Sequence, residues 1–210
     1  DERLRNVTHS SVEGYILRDD GIDGDGDYQK LPKMGTERIE GIISKLKEQD
    51  SENLIQNRMV DSSTGNAIYR RRGQDYFVNP MLEPLYNTTE VKAFNFDTEL
   101  ESLAAFLATG SSLFYLYWCC YGDQYHVNTT HIECFPLPDI ETLRENEEKI
   151  REAAGDLWEV MEDGFNPSSK EFTYEPMKPH IDRGDGVMGP LYGLSDEEIE
   201  FLQKYHTIYG

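Results

Sequence analysis

GSSLFYLYWCCYGDQYHVNTTHIECFPLP, residues 110–138, decides how this chain is read. Up to Tyr121 the stretch carries no charged side chain, in a protein whose 40 acidic and 20 basic residues leave a net charge of -20. Phe114, Tyr115, Tyr117, Trp118 and Tyr121 crowd its first half. Gly122-Asp123 then breaks it into a polar run, and Pro136-Leu137-Pro138 stops it. So many aromatics beside hydrogen-bonding groups fit either a core helix with its exit loop or a platform for a flat polar ligand. Composition does not choose between the two.

Helix signals flank this stretch on both sides. Upstream, Thr98-Glu99-Leu100-Glu101 is a capping box, leading into Leu103, Ala104, Phe106 and Leu107; Gly110 ends that helix and Ser111 caps the aromatic one. Downstream, Pro138-Asp139 opens a helix expected to run to Met161, with Ile140, Leu143, Ile150, Ala154, Leu157 and Met161 on one stripe. Residues 164–185, with Pro167, Pro176 and Pro179, read as loop. Ser195 and Glu198 form a second capping box, with Leu194 and Ile199 as its staple, for a last helix ending near Tyr205.

The first half reads differently. Residues 1–17 suggest one strand, and DDGIDGDGD at 19–27 a surface loop. Asp23, Asp25 and Asp27 have the opening spacing of a calcium loop, but Tyr28 and Met34 stand where glycine and glutamate belong. Thr36 caps a helix with Ile39, Ile42, Ile43 and Leu46 on one face. Residues 56–59 and 66–71 read as a hairpin, residues 72–74 turn the chain into a second hairpin through Tyr76-Phe77-Val78, and residues 91–96 form another strand. The sum is α+β, a small and mainly antiparallel sheet followed by helices, with residues 1–138 as one unit and 139–210 as a helical extension packed on it.

Several function classes fall away. No apolar run approaches the roughly 20 residues of a membrane-spanning helix. Three cysteines, Cys119, Cys120 and Cys134, cannot all pair and lie in apolar contexts, which suits buried thiols in a reducing cytoplasm. With His126 and His131 they suggest zinc, yet there is no Cys-x-x-Cys pair. Ser111-Ser112 lacks a nucleophile elbow, and no glycine-rich phosphate loop is present. The polar start at Asp1 reads as a boundary within a longer polypeptide. The acid surplus, spread over every segment, is the surface expected of a salt-loving organism, where screening removes self-repulsion.

One segment escapes that surplus. Residues 53–92 hold Arg58, Arg70, Arg71, Arg72 and Lys92 against Asp61, Asp75, Glu83 and Glu90; they net +1 and leave -21 to the remainder. Guanidinium groups fork onto phosphate and guanine edges. On a strand, at least one of Arg70, Arg71 and Arg72 faces opposite its neighbours. The plain alternative is that the three neutralise nearby carboxylates.

Four stretches together resemble the C-terminal target-recognition part of adenine-N6 DNA methyltransferases of type II restriction–modification systems, including those fused to nucleases. They are Pro32-Lys33-Met34-Gly35-Thr36 before a helix; Ile68-Tyr69-Arg70-Arg71 with Tyr76-Phe77; residues 109–136; and Tyr192-Gly193-Leu194-Ser195-Asp196-Glu197-Glu198. Within the third, Gly110 stands for the family's asparagine and Gly122 for its serine. The resemblance implies an upstream Rossmann-like domain that binds S-adenosylmethionine and methylates N6 of a flipped adenine. The present chain holds no catalytic motif and no cofactor; it would choose the sequence in double-stranded DNA. Lys33 and Arg71 are then expected phosphate anchors. Arg70, Arg72, Gln74, Tyr76, Ser111, Ser112, Tyr125, His126 and Asn128 are expected groove-facing groups. The alternative is a non-catalytic protein-interaction or scaffolding domain, with the aromatic stretch as plain core.

Overall fold

Ten consecutive buried residues, Ser112–Tyr121, form the helix on which the core is built. The computed structural model describes residues 12–72 and 79–209. In chain order, strands β1 (Leu17–Arg18), β2 (Gly21–Ile22) and β3 (Gln29–Lys30) make an antiparallel sheet with β1 in the middle. Helix α1 (Glu37–Lys47) starts where Thr36 Oγ1 accepts from Ile39 N–H at 3.3 Å and buries its four apolar residues. After the helical turn α2 (Ile55–Arg58), β4 (Ala67–Arg71) pairs antiparallel with β5 (Val91–Asn95).

The helical half follows. Helices α3 (Glu99–Thr109) and α4 (Ser112–Tyr121) have the expected threonine and serine caps. Then come α5 (Thr129–Glu133), α6 (Ile140–Glu145), α7 (Glu147–Asp163), the short hairpin β6 (Phe165–Asn166) and β7 (Glu171–Phe172), α8 (Tyr174–Met188) and α9 (Asp196–Tyr209). The architecture is α+β, with strands concentrated in the first half and helices dominating the second.

Phe114, Tyr117, Phe135 and Tyr192 interlock around α4, with Phe114–Phe135 and Tyr117–Phe135 ring centroids 5.0 and 5.1 Å apart. Such edge-on pairs add to the burial of each ring. Of the two readings open for the aromatic stretch, the core helix is the one observed. Helices α7, α8 and α9 pack on α3 and α4 within the same continuous core. The three thiols are free and buried. No single helix among the described residues is long and apolar enough to cross a membrane; α3 and α4 together have the composition, but they meet at a 63° bend and are buried.

Three expectations about elements need correction, and a fourth falls outside the described residues. Residues 56–59 are not a strand: Ile55–Arg58 is a helical turn, and the partner of β4 is β5, with Ala67 opposite Asn95. The expected second hairpin, through residues 73–78, lies outside the described residues. The helix from Asp139 is broken at Asn146, giving α6 and α7. Residues 174–185 are not loop but part of α8, which carries Pro176 in its first turn, where a missing N–H costs no intrahelical bond, and Pro179 further in. Burial of Met177, Ile181 and Met188 on one face holds that helix despite its prolines.

Candidate nucleic-acid interface

The exit loop of α4 is built by hydrogen bonds that the sequence encodes locally. Asp123 Oδ1 accepts from Tyr125 N–H at 2.9 Å and His126 N–H at 2.7 Å, while Oδ2 meets His126 Nδ1 at 2.9 Å. Burial works to raise the Asp123 pKa, but these bonds outweigh it and hold the carboxyl below the usual carboxylate range. Gln124 adopts a positive φ of 65°, and Trp118 Nε1 donates to His126 O at 3.0 Å. The loop is thereby stapled to the core helix while its tip turns outward. Tyr125 is 73% exposed and His126 is exposed beside it.

Cations converge on this loop from three elements. Lys33 donates from its backbone N–H to Cys120 O at 2.8 Å and from Nζ to Gly122 O at 2.5 Å. It thereby complements the negative end of the α4 dipole. Lys30, on β3, places Nζ 2.7 Å from His131 Nε2. Arg70 and Arg72 reach the loop from the end of β4: Val127 N–H donates to Arg72 O at 3.0 Å, and Arg70 Nη1 donates to Val127 O and to Arg71 O. Lys92, opposite Arg70 on β5, donates to Thr129 Oγ1 at 3.0 Å.

Lys30, Lys33, Arg70, Arg72 and Lys92 make no ion pair among the described residues. Elsewhere the acid surplus is used: Lys45 meets Glu198 at 2.6 Å, Lys47 meets Asp23 at 2.9 Å, and Arg58 meets Glu101 at 3.0 Å. Arg70 is the extreme case. Its side chain is 2% exposed and its Nε has no hydrogen-bond partner. Burial, then the nearby Arg72, lower its pKa to about 10, with Glu133 opposing, so it stays charged at neutral pH. A buried charge without a counter-ion costs on the order of several kcal/mol.

His131 sits behind the same group of charges. It is buried, and its pKa is lowered to about 4 by burial and then by Lys30 and Arg70. Its Nδ1 accepts from Asn128 N–H at 3.0 Å, so the proton of the neutral ring lies on Nε2, the nitrogen facing the Lys30 ammonium. A hydrogen bond to the Tyr121 backbone opposes the lowering of its pKa, and Lys30 and Arg70 leave the surroundings of the ring positive. A groove of about 450 Å³ opens above this cluster, lined by Arg70, Arg72, Glu90, Lys92, Asn128 and Thr129 among others.

The expected site residues divide accordingly. Lys33, Arg70, Arg72, Tyr125, His126 and Asn128 are brought together around residues 122–131. Arg71 lies on the opposite face of β4, as alternation requires, with Nε 3.1 Å from Glu90. Arg70 faces inward and supports the loop, so it does not present its guanidinium freely to a base edge. Ser111 and Ser112 are turned into the core and do not line this groove. Ser111 Oγ accepts from Phe114 N–H at 3.0 Å and donates to Ala108 O at 2.6 Å, and Ser112 N–H donates to Asp185 Oδ1 at 2.9 Å. Both serines are buried at the opposite end of α4, a helix about 15 Å long. Gln74 and Tyr76 lie outside the described residues.

Lys30, Lys92, Thr129 and His131 belong to the cluster and were not anticipated. For Lys92 the missing signal was the β4–β5 register. Among the described residues no three of His, Cys, Asp and Glu converge as a metal ion would require. No protein-family model, curated protein or solved structure matches the chain.

Proposed function

We propose that this chain reads sequence in double-stranded DNA, as the target-recognition part of an adenine-N6 DNA methyltransferase of the type II restriction–modification class it resembles. In this reading an upstream domain of the same polypeptide binds S-adenosylmethionine and performs the methyl transfer, in the cytoplasm of a salt-loving organism. The observation that carries the proposal is the gathering of five cations with no ion-pair partner among the described residues beside an exposed Tyr125 and His126, on a protein of net charge -20. Phosphate anchoring falls to Lys33, Arg72 and Lys92. Base contact falls to Tyr125 and His126, exposed on the loop, and to Asn128, which lines the groove. In molar salt the release of counterions contributes little, so such direct contacts must supply the affinity.

The test is binding of the whole chain to a duplex library, read by fluorescence anisotropy across a potassium chloride series. Each phosphate contact contributes about 0.9 to the slope of log affinity against log salt, so Arg72→Ala with Lys92→Ala lowers that slope by about 2. Tyr125→Ala weakens binding and leaves the slope unchanged. A folded protein without duplex affinity at any salt concentration returns the chain to the protein-interaction reading.

A further inference from the structure

The groove at the end of β4 and β5 has features that neither the loop nor the core requires. The register sets Lys92 directly across from Arg70, and Arg72 follows two residues on, toward the same side. Like charges in directly opposed cross-strand positions are destabilising. Here the pair is kept, and the buried Arg70 has an Nε with no partner. The acceptors its guanidinium does have, Val127 O and Arg71 O, are neutral carbonyls. Glu90, the one carboxylate lining the groove among the described residues, is engaged by Arg71 Nε at 3.1 Å. Among the described residues, three positive charges therefore line a concave space of about 450 Å³ whose one carboxylate is already held by Arg71.

We infer that this groove is an oxyanion site built for one phosphate group of a nucleic-acid backbone. Arg72 and Lys92 are its direct ligands, with Asn128 and Thr129 supplying neutral donors, and Arg70 is the buried charge beneath. A planar guanidinium and an ammonium from different strands suit an anion with several oxygens, which a phosphate has and a single carboxylate lacks. The size of the groove is that of a small-molecule site, enough for a phosphodiester with its flanking atoms. The inference deepens the DNA reading and rests on it for the source of the phosphate. It turns a diffuse electropositive patch into a register point, since one fixed phosphate sets where Tyr125 and His126 meet the duplex.

The experiment is a titration of the isotope-labelled chain with inorganic phosphate replacing chloride at constant ionic strength, followed by amide NMR. It is paired with the duplex titration above. The expected result is saturable movement of the Asn128 and Thr129 amides. The exposed Lys92→Ala weakens phosphate about tenfold, the loss expected of one charged hydrogen bond. Arg151→Ala, at a remote ion-paired arginine, leaves it unchanged. Phosphate that moves neither amide, or that binds Lys92→Ala and Arg72→Ala as it binds the parent, overturns the site. If phosphate binds there and duplex does not bind at all, the site stands and the DNA reading fails. If duplex binds with its salt slope unaltered by Arg72→Ala and Lys92→Ala, the DNA reading stands and the site fails.

Discussion

Replacing Asp185 by asparagine should raise stability at neutral and higher pH, and the size of the effect follows from the burial of one carboxyl. Asp185 lies on α8 with its side chain buried against the start of α4; Oδ1 accepts from Ser112 N–H at 2.9 Å and Oδ2 has no partner. Burial raises its pKa from 3.8 to about 7, against the opposing bonds from Ser112. A carboxyl whose folded-state pKa is raised favours the protonated form in the fold. The folded chain then binds more protons than the unfolded one between 3.8 and about 7, so stability falls as pH rises through that window and is level above it. At about 1.4 kcal/mol per pH unit, the window corresponds to about 4 kcal/mol.

Asparagine keeps the acceptor for Ser112 N–H and removes the charge, but it buries an amide without a partner at a cost of about 1–3 kcal/mol. Asp185→Asn should therefore be more stable than the parent by about 1–3 kcal/mol at about pH 8, and equal or less stable near pH 4.5. Urea unfolding at the two pH values in the same salt measures the difference, and the effects of other carboxylates cancel between parent and variant. A difference that is the same at both pH values to within about 0.5 kcal/mol would refute the reasoning, because Asp185 would then titrate alike in the folded and unfolded chains.

Two further outcomes are expected. A Cβ on Gly122 would lie 2.5 Å from Trp118 Cδ1 and 2.6 Å from Trp118 O, so Gly122→Ala should cost about 1–3 kcal/mol in urea unfolding. It should also loosen the loop, read as faster hydrogen exchange at Val127; unchanged exchange with unchanged stability counts against the staple through Trp118. Across a potassium chloride series, thermal unfolding midpoints should climb as the -20 charge is screened, and midpoints indifferent to salt would remove the halophile-type reading of the surface.

The candidate site was legible in part. Asp123, Tyr125, His126 and Asn128 lie within a few residues of the end of α4, so the loop that presents them follows from local turn chemistry. The arginine run was visible as the one break in an acidic chain. Its division into an inward Arg70, an Arg71 turned to Glu90 and an exposed Arg72 needed the strand and its neighbours. Ser111 and Ser112 show the opposite case. Their place as helix cap and first residue was readable, and their burial was not, because Asp185 and α8 come from more than seventy residues away.

What the sequence determined by itself is what hydrogen bonds between near neighbours determine: the caps at Thr36, Thr98, Ser111 and Ser195, the apolar faces they introduce, and hence the α+β class. The tertiary structure alone decided that β4 takes β5 as its partner across residues 72–90, that α8 forms in spite of two prolines, and that Lys30, Lys33, Arg70, Arg72 and Lys92 meet at one loop. Strand pairing and charge clustering depend on contacts between distant segments. Their energies arise from burial and solvent exclusion once the chain has folded, and no short window of sequence contains them.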